Sequence, residues 1–321
     1  MPSVDGAGEP AVGFDDVPSG EPPLFAKYES IPPPPPVPRK PNFGDLLIFL
    51  VLAYAGLRVS VVVVVAALHY HLFGVSNLKQ AEDEIHYKLG SQAGWYLITL
   101  LFCIVVFPLV WSLEEWVRRQ HDSSWKAAAG FFAGIHWRAP AAVQHVWRLF
   151  GAAGACFAVA IADEVLIPGP PDTPIDKTFH MPGAIWLLFA FGVTLAPIFE
   201  EIAFRGFLLP TLCTAYDWTL EQVTGSKAPP PDFDGGTRWS PAAMVVASLV
   251  ASIPFALMHG EQTGYSIGPF LLLVLISLVL CWIRLATRSL AASVLVHSSY
   301  NLLLFGLMFL GTGGFRHLER M

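Results

Sequence analysis

The sequence predicts an all-α fold, a polytopic transmembrane helix bundle of about seven spans, on three observations. Charged residues make up 14% of the 321-residue chain, against roughly 25% in a typical soluble domain. Hydrophobic residues make up 54%, and the mean hydropathy is +0.53. The apolar residues also gather into runs near the ~20 residues that a helix needs to cross the hydrocarbon of a bilayer, with polar linkers between them. The expected location is a membrane, in multi-pass form and in contact with lipid. The net charge of −6 comes with no basic stripe, which argues against a nucleic-acid partner.

Residues 1–41 hold twelve of the 27 prolines, including the run Pro32 to Pro36. A stretch so polar and proline-rich cannot bury a core and favours an extended tail. It reads as a solvated spacer; the other reading is a docking peptide for a proline-recognising partner. It lacks the short basic region and apolar core of a cleavable signal peptide, so the internal spans are expected to drive insertion.

Seven spans are expected, at about 44–72, 93–117, 140–167, 182–215, 240–260, 266–285 and 288–311. The fourth is too long for one straight crossing, and Pro197 and Pro210 are expected to kink or interrupt it. The chain thus divides into a tail (1–41), N-terminal membrane helices (42–180), a second membrane core (181–312) and a short C-terminal tail (313–321). Within the core, residues 217–240 read as a flexible polar loop. Residues 121–139, with Trp125, Phe131, Phe132 and Trp137 among basic residues, suggest an amphipathic helix along the interface.

Placing the N-terminus in the cytoplasm puts eleven Lys and Arg residues, Arg284 among them, on the inner side and five on the outer. That asymmetry is the positive-inside pattern. The small, undecorated design suggests a prokaryotic plasma membrane. Cys103, Cys156, Cys213 and Cys281 lie in or beside apolar runs without close pairing. They read as small buried residues, not as a disulfide framework or a zinc knuckle.

Chemistry concentrates in the second half. Phe199-Glu200-Glu201-Ile202-Ala203-Phe204-Arg205 sets two carboxylates and a guanidinium inside an apolar run. Each such charge costs about 2.5–3.5 kcal/mol at the centre of a membrane helix. Glu201 and Arg205 are four apart and share a helix face in the favourable order for an ion pair. Glu200 lies about 100° away around the helix and is left free in a low-dielectric cleft, where a carboxylate is suited to act as general base for water. His259 closes the next apolar run. His297 and Asn301, four apart, share a face of the last one. Two glutamates, two histidines and an asparagine on three spans point to a shared polar site. The pair Glu114-Glu115, followed by Arg118 and Arg119, has the same charge pattern at a span end. There the side chains can snorkel to water, so that copy reads as structural. Arg58, midway along the first span, reads either as facing the cleft or as neutralising a buried acid.

Glu-Glu-x-x-x-Arg, Phe-x-x-x-His and His-x-x-x-Asn, in this order and each in its own span, resemble the CPBP family of type II CAAX-prenyl endopeptidases and bacteriocin-processing proteins. The resemblance covers about residues 182–305. It implies an integral-membrane endopeptidase in which Glu200 activates water with help from His259. His297 and Asn301 would stabilise the oxyanion, and Glu201 and Arg205 would hold the site together. It also implies a peptide or protein substrate, membrane-associated or prenylated. Glu200, His259 and His297 could ligate zinc with a position open for water. The lack of a His-Glu-x-x-His pair on one helix favours a metal-free glutamate base. Two other classes use the same residues: a non-catalytic scaffold that binds a peptide in the cleft, in the manner of a bacteriocin-immunity protein, and an ion-coupled transporter.

Overall fold

The computed structural model describes residues 41–69, 94, 97, 98, 100–121, 130–167, 173–179, 183–227, 229 and 237–318. The proline-rich tail up to residue 40, and residues 93, 95, 96 and 99 of the second expected span, lie outside the described residues. Among those described there is no strand.

Seven long helical elements carry the structure: α1 (Phe43–His69), α2 (Phe107–His121), α3 (Val146–Leu166), α4 (Ala184–Thr224), α5 (Pro241–Met258), α6 (Ile267–Thr287) and α7 (Leu290–Gly311). All but α2 are long and apolar enough to cross a membrane. The exception falls where residues 93–117 were expected to span; here Phe102–Val106 leads directly into α2. The protein is a multi-pass helical bundle.

Helix periodicity decides which residues face inward. Along α3, Leu149, Ala153, Cys156 and Ala160 recur every three or four residues and pack against Ile276, Leu280 and Ile283 of α6 and Ala292, Val296 and Tyr300 of α7. On α5 the small residues Ala243, Ala247 and Ala251 are spaced by four and almost fully buried. Side chains that small let helix backbones approach closely where lipid offers no hydrophobic driving force. Against them lie Leu209 and Cys213 of α4 and Cys281 of α6. Cys156, Cys213 and Cys281 are free thiols in this packing, as their apolar surroundings suggest.

The long α4 is continuous, in five pieces: Ala184–Ala190, a π-helical stretch at Phe191–Leu195, Ala196–Glu201, a second π stretch at Ile202–Leu208, and Leu209–Thr224. Both expected prolines sit just past a π stretch, and the reason is local. A proline has no N–H to give and its ring collides with the carbonyl four residues earlier. In each stretch the helix widens so that the last N–H before proline reaches back five residues: Ala196 to Phe191 O, and Leu209 to Phe204 O. The chain passes both prolines without breaking, and the carboxylates lie between the two widened segments.

Four sequence-based expectations change. Of residues 121–139, the described residues 131–138 are not a separate surface helix but pack into the bundle on one side. Phe131 and Ile135 are buried with Trp111 and Phe207, and a side chain on Gly134 would come within 2.5 Å of the Trp111 ring. Two apolar side chains four apart make this a plug that inserts into the bundle. Residues 217–240 are not loop throughout, because α4 continues to Thr224. Buried Asp217 accepts hydrogen bonds from Ser240 N and Oγ, at 3.0 and 2.6 Å, which ties the two ends together. Arg284 is no loop charge: it is 1% exposed, with Nη2 3.0 Å from His136 Nδ1. Arg58 is exposed, its guanidinium 6.0 Å from the Tyr54 ring. Gly56 and Ser60 are buried on α1, and a position two residues from each points to the other side of a helix.

Asp217 and Ser240 also start α5, since Ser240 Oγ accepts from Ala243 N at the helix N-cap. Asp217→Ala is expected to lower stability by about 1–3 kcal/mol, measured by unfolding in mixed micelles, while leaving the α6–α7 packing intact.

Candidate active site

Among the described residues, Glu201 and Arg205 are charges with fully buried side chains, joined Oε1 to Nη1 at 2.9 Å. They sit one turn apart on α4, where the widened helix begins. The guanidinium also donates from Nη2 to Ser277 of α6, at 2.8 Å to Oγ and 3.1 Å to the carbonyl oxygen. The ring of Phe255 on α5 lies 4.5 Å from its central carbon, within cation–π range. On the other side, Glu201 Oε1 meets His297 Nδ1 of α7 at 3.0 Å. One buried pair therefore engages α4, α5, α6 and α7 at once. Nothing in the sequence marks Ser277, a lone serine in an apolar run.

Glu200, one residue earlier, faces another way. Its side chain is 13% exposed, and its Oε2 lies 3.9 Å from His259 Nε2 and 3.8 Å from His297 Nε2. The contrast with Glu114 is instructive. Glu114 has Arg118 four residues on and pairs with it at 2.7 Å; four residues after Glu200 stands Phe204. The missing cation leaves the Glu200 carboxylate to the two imidazoles. Glu115 is not snorkelled to water. It is 4% exposed and accepts from Trp111 Nε1 at 2.7 Å.

Both imidazoles are held in one orientation by their other nitrogen. His259 Nδ1 is 2.9 Å from the Phe255 carbonyl, which can only accept. His297 Nδ1 faces Glu201, which is ionised beside Arg205 and also only accepts. In each ring Nδ1 carries the proton, and Nε2 is turned toward Glu200. Gaps of 3.8–3.9 Å are too long for direct hydrogen bonds and suit a bridging water. Asn301, one turn beyond His297, donates from Nδ2 to the Gly192 carbonyl at 2.6 Å.

Glu200, His259, His297 and Asn301 all line one cavity of about 340 Å³, whose other walls include Phe179, Leu272, Ile276, Leu304 and Phe305. Gln262, Thr263 and Tyr300 add further polar groups to a lining that is otherwise mostly apolar. A carboxylate and two imidazole nitrogens are donors that zinc accepts at 2.0–2.2 Å, which sets neighbouring ligand atoms about 3.3–3.5 Å apart in a tetrahedron. The separations here are wider. Among the described residues no three His, Cys, Asp or Glu side chains are arranged to hold a metal ion.

Residues 182–303 match the family model of the Rce1-like type II CAAX prenyl endopeptidases. The resemblance to the CPBP family holds over that segment. It spans α4 through most of α7 and contains Glu200, His259, His297 and Asn301. No curated protein and no solved structure matches significantly.

Removing Arg205 strands an ionised Glu201 with no route to water. Arg205→Ala is expected to cost about 3–5 kcal/mol of stability. Replacing both members with apolar residues, as Glu201→Leu with Arg205→Met, should cost less than Arg205→Ala alone. Denaturant unfolding of the purified protein in detergent distinguishes the two.

Proposed function

We propose that this protein is an intramembrane endopeptidase whose attacking water is activated by Glu200. The family match supports a CAAX-type protease at the level of the family. The observation that carries the mechanism is that one carboxylate faces two imidazole Nε2 atoms at 3.8–3.9 Å on the wall of a cavity, so that one water beside them can contact the carboxylate and an imidazole together.

In this reading Glu200 takes a proton from the water as its oxygen attacks the scissile carbonyl carbon. His259, braced by the Phe255 carbonyl, accepts the water's second hydrogen at Nε2 and fixes the direction of attack. Negative charge then builds on the substrate oxygen. Asn301 meets it with the amide hydrogen that Gly192 does not use, and fixed donors of this kind are worth about 10²–10³ in rate. His297 donates from Nε2 only as the imidazolium, with Glu201 as its counter-charge, so its help belongs to the doubly protonated ring. Glu200 passes its proton to the departing nitrogen, the C–N bond breaks, and a carboxylic acid and an amine form, the acid then giving its proton to the amine so that a carboxylate and an ammonium leave. No step is routed through a metal.

The apolar chamber beside these groups suits a substrate that is itself membrane-associated, a prenylated CAAX-like peptide or an unprenylated membrane peptide. A peptide-binding scaffold would use the same cavity without turnover, and product formation separates the two.

Glu200→Ala and His259→Ala should each abolish peptide cleavage at normal expression, whereas Glu114→Ala should retain it. Full cleavage by the Glu200→Ala protein removes Glu200 from the mechanism. Activity should also survive extended dialysis against a strong chelator; loss that zinc restores would return the imidazoles and Glu200 to the role of ligands.

A further inference from the structure

Gly192 and Pro197 stand outside the polar set described above, yet together they leave an acceptor for Asn301. The π stretch Phe191–Leu195 ends with Ala196 N–H bonded to Phe191 O. In that register the next carbonyl, Gly192 O, would take the N–H of residue 197. Residue 197 is proline and has none. A carbonyl without a donor on the wall of a largely apolar cavity is costly, and here the donor comes from another helix, as Asn301 Nδ2 at 2.6 Å in a part-buried contact.

The glycine matters as much as the proline. A side chain on residue 192 would come within 2.9 Å of the Phe305 ring. Phe305 is one turn after Asn301 on α7, so the bare backbone at 192 is what lets α7 approach closely enough for the amide to reach. The contact also settles the amide's orientation. The two ends of an Asn amide are nearly equal in shape, and only the nitrogen can donate to a carbonyl. Held there, Nδ2 keeps its second hydrogen on the wall of the cavity that Asn301 lines.

From this geometry we infer that Pro197 is a positioning residue for the reaction: by withholding an N–H it leaves the Gly192 carbonyl to orient the Asn301 amide. This rests on the peptidase reading and adds to it a reason for a proline three residues before the proposed base. Pro197→Ala supplies the missing N–H, which competes for Gly192 O and frees the amide to turn.

The test is a cycle of Pro197→Ala, Asn301→Ala and the double variant, read as kcat and KM on a cleavable membrane peptide, with thermal unfolding of each protein. Pro197→Ala should lower kcat about ten- to a hundredfold, the scale of a misplaced catalytic group, with KM little changed. The double variant should be no slower than Asn301→Ala alone. An ester linkage at position 197, carrying alanine's methyl group but no N–H, should restore the rate. Independent, multiplying losses in the double variant, or an ester no better than Pro197→Ala, would overturn the inference and leave Pro197 a packing residue. Wild-type kcat in Pro197→Ala while Glu200→Ala is inactive also sinks it, with the peptidase reading intact. Cleavage that survives in Glu200→Ala instead removes the reading beneath it.

Discussion

One buried ion pair, Glu201 with Arg205, is the contact around which this structure is arranged. Both side chains are shut away from solvent. At that depth the desolvation cost roughly offsets the attraction between two charges, unless further hydrogen bonds satisfy them. Three other helices supply contacts to the pair: hydrogen bonds with Ser277 of α6 and His297 of α7, and the face of the Phe255 ring of α5. Each added contact fixes the rotation of its helix about its own axis. The contacts that hold the pair also orient the polar site.

That dependence explains how two adjacent glutamates come to differ. A step of one residue turns a helix by about 100°, which carries Glu201 into the packing seam and Glu200 to the cavity. The second acidic pair in the chain makes the cause plain. Glu115 is buried as Glu201 is, but Glu114 has an arginine one turn on and is consumed by it. Phe204 in the equivalent place leaves Glu200 unclaimed by a cation, and two imidazoles face it instead.

The two π stretches in α4 belong to the same economy. A regular helix through Pro197 and Pro210 would meet two ring clashes and lose two hydrogen bonds. Widening the turn before each proline removes the clash and leaves particular carbonyls without helical donors. Gly192 O, one such carbonyl, is a fixed acceptor that a side chain from another helix fills.

The amino-acid sequence by itself determined the membrane class, the places of most spans and the identity of the polar residues, because apolar runs and charges within them are local properties. It also determined the Glu201–Arg205 pairing, which spacing on one helix decides. Tertiary structure alone decided that residues 131–135 plug the bundle, that Arg284 is buried against His136, that Ser277 completes the shell of Arg205 and that Gly192 receives Asn301. Each of these joins helices whose partners are distant in sequence, with up to about 150 positions between them. Which faces meet across such distances depends on how α4 to α7 rotate against one another, and no local pattern of residues encodes that rotation.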